Sequence, residues 1–175
     1  MSNQRSDQAP RTEISVSALA RCPFSIAQEY ATEYLRRAEA GGPEAAISVP
    51  WPRPFGFLRH RVAFSFGIHA DVLEGGRLHD ELRFHWESGT RLLPNFRGTM
   101  RFRIEVLRTR VHLDGGYTIP LGPAGYCFDR LIGKRLARAS LQELADRVAA
   151  FLSDRETKWR AAQTATGLER RQASA

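Results

Sequence analysis

The stretch RLLPNFRGTMRFRIEVLRTRVHLDGGYTIPLGPAGYCFDRL, residues Arg91 to Leu131, decides how this chain is read. Phe96, Gly98, Met100, Phe102, Ile104 and Val106 recur at every second position, with Arg97, Thr99, Arg101, Arg103 and Glu105 between them. Successive side chains of a strand point to opposite faces, so the alternation predicts a strand with one dry face and one wet face. A turn at Leu107-Arg108 leads into a second strand carrying Val111, Leu113, Gly115, Tyr117 and Ile119. A Pro/Gly corner from Ile119 to Gly125 then opens a long amphipathic helix. A curved sheet that feeds a closing helix can enclose a hydrophobic cavity.

Upstream, Ile14, Val16 and Ala18 alternate with Glu13, Ser15 and Ser17, which predicts a first strand. Pro23 then opens a helix whose apolar positions are Ala27, Tyr30, Ala31, Tyr34, Leu35 and Ala38, and Gly41-Gly42-Pro43 stops it. Residues 43 to 59 are apolar, yet Pro43, Pro50, Pro52 and Pro54 argue against regular helix or central strand. This segment reads as a loop that plugs one end of the core, or as a portal or membrane-touching lip. Next, Val62, Phe64, Phe66, Ile68, Ala70 and Val72 share one face of a strand, Gly75-Gly76 marks a turn, and Leu82, Phe84 and Trp86 alternate with Glu81, Arg83, His85 and Glu87. The strands form an antiparallel meander, dry on one side.

The closing helix reads from near Pro123 to about Trp159, with Phe128, Leu131, Ala137, Leu141, Leu144, Val148, Phe151 and Leu152 as its stripe. Gly133 within it costs about 1 kcal/mol relative to alanine. Residues 1–12 are polar and aperiodic and read as a disordered arm, 13–160 as one domain, and 161–175 as a flexible tail.

The chain has 175 residues, 42% hydrophobic and 26% charged, which suits one soluble domain with a real core. The net charge is +7, but the only lysines are Lys134 and Lys158, and the arginines are spread from Arg5 to Arg171. A nucleic-acid footprint should be clustered, so no nucleic-acid partner is expected. Cys22 and Cys127 make neither a disulfide framework nor a metal site. No secretory h-region and no membrane-spanning run is visible, so a cytoplasmic protein is expected.

The element order resembles the helix-grip (SRPBCC/START-like) superfamily: lipid-transfer domains, birch-pollen-allergen-like proteins and bacterial polyketide cyclase/dehydrase-like proteins. Phe96-Arg97-Gly98 resembles that family's aromatic-x-Gly step. Gly116-Tyr117-Thr118-Ile119-Pro120-Leu121-Gly122 is similar to its Gly-x-Tyr-x-Pro-Pro-x-Gly corner, with Ile119 in place of the first proline. Phe128-Asp129-Arg130-Leu131 looks like the start of its long helix. The resemblance covers roughly Glu13 to Arg160. It implies an α+β helix-grip fold, a curved antiparallel sheet wrapped around a long C-terminal helix. It does not choose among the family's functions.

In that family the concave sheet face lines the cavity. The expected ligand-binding residues here are Phe64, Phe66, Phe84, Trp86, Phe96, Met100, Phe102 and Tyr117, with Ile68, Leu82, Val111 and Leu113 beside them. None is a carboxylate, histidine, lysine or serine, and acid–base catalysis needs a titratable group within hydrogen-bond reach. No catalytic residue, metal or cofactor is therefore expected. Only the Tyr117 hydroxyl and the Trp86 indole N–H offer polar handles.

His69, His79 and His85 lie on neighbouring strands, but His69 and His85 fall on the wet face, and His60 and His112 read as surface positions. Arg97, Arg101, Arg103, Arg108 and Arg110 form an outward stripe, read as cross-strand ion pairing or as docking to an anionic membrane or an acidic carrier protein. Gly122 to Gly125 and Gly133-Lys134 lack the spacing and the Ser/Thr of a phosphate loop. The leading expectation is non-catalytic binding of a hydrophobic small molecule or lipid. The alternatives are a polyketide cyclase/aromatase-like enzyme, with Tyr117 as proton donor, and an interaction protein with a filled core.

Overall fold

The computed structural model describes residues 12–50, 57–61, 63–74, 77–87, 95–118 and 134–173. Strand β1 (Thr12–Ala20) is followed by helix α1 (Phe24–Glu39), a 3-10 turn (Pro43–Ala45), and strands β2 (Ala46–Pro50), β3 (Phe57–Arg61), β4 (Ala63–Glu74), β5 (Arg77–Glu87), β6 (Asn95–Glu105) and β7 (Arg108–Thr118). Helix α2 (Lys134–Ala173) closes the chain. Five strands form one antiparallel sheet in the order β1-β7-β6-β5-β4, and β2 and β3 pair separately. This is the helix-grip arrangement, an antiparallel sheet packed against a long C-terminal helix.

The alternation read from the sequence sets the faces. Ile14, Val16, Leu82, Phe84, Trp86, Phe96, Met100, Phe102, Val111, Leu113 and Tyr117 are all buried in one core. Their cover is the stripe of α2, with Leu136, Leu141, Leu144, Val148 and Leu152 buried, and the face of α1 formed by Ala27, Ala31, Leu35 and Ala38. Helix α1 ends at Gly41, whose φ of 74° few other residues adopt. The Gly41 and Gly42 N–H groups donate to the carbonyls of Ala38 and Arg37 there. Phe151 of α2 meets Tyr34 of α1 edge-on at 5.4 Å, and Arg155 pairs with Glu33 at 2.6 Å. The Arg147 guanidinium donates to the carbonyls of Ala46 and Pro43, tying α2 to the start of β2.

Four expectations need correction. Residues 46–50 and 57–61 are not irregular loop; they pair as a hairpin from Ala46↔Arg61 to Pro50↔Phe57. Pro50 is tolerated because it ends a strand of a two-stranded edge, while Pro52 and Pro54 lie outside the described residues. In β4 a bulge between His69 and Val72 shifts the register, so Leu73 faces Leu78 and Val72 faces His79. Val72 therefore leaves the line that Phe64, Phe66 and Ile68 hold opposite Trp86, Phe84 and Leu82.

The β6–β7 turn is Val106-Leu107 rather than Leu107-Arg108, since Glu105 pairs with Arg108. Finally, helical turns continue past Trp159 to Ala173. The sequence there keeps helix formers although it loses its apolar stripe, and residues 157–166 are exposed throughout. The arm before Thr12, the corner at 119–125 and the stripe residues Phe128 and Leu131 fall outside the described residues.

Candidate functional site

Register places the expected residues in rows across the sheet. Tyr117, Phe96, Trp86 and Phe64 form one row; Gly115, Gly98, Phe84 and Phe66 the next; Leu113, Met100, Leu82 and Ile68 the third; and Val111 and Phe102 a fourth. Trp86 stacks on Phe96 with centroids 4.6 Å apart, and Phe84 stacks on Phe96 at 5.6 Å and on Trp86 at 6.0 Å. Three of the eight expected site residues thus make one continuous aromatic surface. Met100, Phe102 and Tyr117 are buried in the same core, and Phe66 is half-buried against it. Phe64 is placed by its pairing with Trp86.

Two glycines make this surface possible. A Cβ on Gly98 would stand 2.6 Å from Cε1 of Phe96, and one on Gly115 would stand 2.7 Å from Cζ of the same ring. The Phe96 ring therefore lies down over the Gly98–Gly115 pair. The aromatic-x-Gly step noted in the sequence has this physical meaning: the glycine is the bed for the ring two residues before it.

The inner face is less purely apolar than the sequence suggested. Thr109 is fully buried at the far end of β7, and its hydroxyl donates to the Cys22 carbonyl at 2.7 Å. Glu156, on α2, is also buried, with Oε1 held by Arg160 at 2.5 Å and no hydrogen-bond partner for Oε2 among the described residues. Burial, helped by the Glu156 charge and opposed by Arg160, pushes the Cys22 thiol up from 9.0 to about 11. Burial likewise pushes the Tyr34 hydroxyl from 10.0 to about 12. Neither is poised as a nucleophile or base near neutrality.

The folded chain holds the Cys22 proton more tightly than the unfolded chain, so its contribution is intact below pH 9.0 and is lost as pH rises towards about 11. The urea midpoint is expected to fall across that window, and to fall less in Cys22→Ala. A midpoint as steep in the variant as in the parent would remove Cys22 as the cause.

The outer face carries an open groove of about 1040 Å³ over the backbone of Gly98 and Gly115, walled by Ser65, Arg83, His85, Arg97, Thr99 and Asp114. Ser65 Oγ lies 2.6 Å from Nδ1 and 3.0 Å from Nε2 of His85. An oxygen within reach of both ring nitrogens sits off the axis of each, which is poor geometry for proton abstraction. Within the arginine stripe, Arg110 pairs with Glu105 at 2.6 Å and Arg101 with Glu81 at 3.5 Å; outside it, Arg83, on the same strand as Glu81, approaches that carboxylate at 4.0 Å. At least two of the five stripe arginines are thus in cross-strand pairs. Glu81 is buried while doing this, which alternation alone places on a wet face. Among the described residues no helix is long and apolar enough to cross a membrane.

No family model matches this sequence, and no curated protein matches it. Solved structures with a similar chain path include TTHA0849 from Thermus thermophilus, 17% identical over 81% of this chain and 97% of that one, with a TM-score of 0.48. The di-domain ARO/CYC StfQ from the steffimycin biosynthetic pathway is 16% identical over 84% of this chain, with a TM-score of 0.41, and this chain spans 52% of its length. Ara h 8.0201 is 8% identical over 82% of this chain and 98% of that one, with a TM-score of 0.37. These likenesses concern the arrangement of strands and helices; the chemistry has to come from the residues of this chain.

Proposed function

We propose that this chain binds a hydrophobic small molecule or lipid against the inner face of its sheet, without catalysis. One observation carries the reading: the described inner residues of β5, β6 and β7 in the four rows include no charged side chain, and three of the rings stack into one surface. Each apolar Å² of ligand covered there contributes about 25 cal/mol. The polar atoms carried by this aromatic wall are the Tyr117 hydroxyl and the Trp86 N–H. Phe66, on the edge strand β4, is half-buried and packs against this core.

The test is native mass spectrometry of the protein purified from its own host, with identification of whatever denaturation releases. A bound apolar adduct is the expected result. A clean apo mass that persists after challenge with lipids and aromatic polyketides would leave a core filled by its own rings. Phe66→Gln supplies the residue-level test. Phe66 is only half-buried, so the variant is expected to keep its Tm within a few degrees while uptake drops roughly tenfold. Unchanged uptake would take Phe66 out of the site.

A further inference from the structure

We infer that the tip of the β6–β7 hairpin inserts into the surface of a bilayer containing anionic lipids. A two-residue hairpin turn normally takes glycine, asparagine or aspartate where φ is positive. Here the first turn residue is Val106, at φ 43°, a conformation that a β-branched side chain adopts only under strain. The turn is pulled tight, with the Arg108 N–H donating to the Val106 carbonyl at 2.6 Å. Both turn side chains are aliphatic and almost wholly in water, Val106 86% and Leu107 93% exposed, with Ile104 beside them at 67%. Strain and exposed apolar surface coincide at one point, and neither contributes to the stability of the folded chain in water.

Charge around the tip selects the occupant. An open groove of about 710 Å³ behind it is lined by Phe24, Ile104 and Leu107, with Arg21, Arg108 and Arg160 among its other residues. Arg103 is exposed on the preceding strand. The neighbouring carboxylates are already engaged, Glu105 by Arg110 at 2.6 Å and Glu156 by Arg160 at 2.5 Å. Among the described residues, Arg21 and Arg108 have no carboxylate within 4.0 Å. Aliphatic side chains projecting through a collar of cations are what a negatively charged lipid interface accommodates. The tip is convex and two residues wide, so a fluid that closes around it fits better than a protein surface, which needs about 800 Å² per partner.

The experiment is co-sedimentation of the full chain with phosphatidylcholine vesicles, with and without phosphatidylglycerol. It reads vesicle binding directly, so it is independent of the proposed interior ligand. Binding is expected only with phosphatidylglycerol present, and is expected to weaken as salt is raised. Val106→Gly combined with Leu107→Asn puts turn-forming residues at the tip. It is expected to lower binding roughly tenfold or more while Tm stays level or rises. If the double variant does not fold, Leu107→Asn alone gives the same reading.

Three results would overturn the inference: no binding to the anionic vesicles, equal binding by parent and tip variant, or tip-dependent self-association without vesicle binding. The last would make a second copy of the chain the occupant.

Discussion

Gly115→Ala is expected to abolish cooperative folding or to lower stability by about 3 kcal/mol or more. The new Cβ would stand 2.3 Å from the Arg97 carbonyl oxygen and 2.5 Å from Cα of Gly98, both backbone atoms of the paired strand β6. A flexible side chain can swing away from such a contact; a hydrogen-bonded ladder cannot, unless β6 and β7 part. The Phe96 ring, 2.7 Å away, would have to move as well, and it supports Trp86 and Phe84. The measurement is urea denaturation followed by tryptophan fluorescence and by circular dichroism. A midpoint within about 1 kcal/mol of the parent's would mean that the strands separate easily here, and the account of the ring bed would fail.

Phe96→Ala should remove about 3–5 kcal/mol, the usual range for deleting a buried aromatic ring. Phe96 is essentially inaccessible and stacks on both other rings of the surface, so its loss leaves a void flanked by Trp86 and Phe84 above two glycines. Neighbours without a Cβ cannot collapse into that void, which places the expected cost towards the upper end. The same variant bears on function. An apolar void stays dry and accepts small apolar molecules, so adding benzene or a similar probe should recover part of the lost stability. A loss under about 1 kcal/mol would show that the ring is not a structural part of the wall.

The sequence carried the faces of the sheet because alternation is a local property. Phe96 to Phe102 and Val111 to Tyr117 place their apolar side chains in the core at alternate positions, as their order requires. The stripe from Ala137 to Leu152 was legible for the same reason, through its helical period. The bulge after His69 leaves no local sign, so alternation alone puts Val72 on a line that the register does not keep. The proline-rich segment misled because proline opposes a central strand, and only the pairing partner shows that β2 is at an edge. The helix beyond Trp159 kept its propensity after losing its stripe, and the stripe was the signal being read.

By itself, then, the sequence determined that the alternate positions of Phe96–Phe102 and Val111–Tyr117 and the stripe of Ala137–Leu152 face the core, since period and propensity belong to each segment alone. Tertiary structure decided what those side chains meet. It laid Phe96 over two glycines from different strands, buried Glu81 between arginines, and left Val106 and Leu107 standing in water. Contacts between residues distant in sequence depend on register and on strand ends, and one bulge or one turn residue shifts both without changing the local pattern.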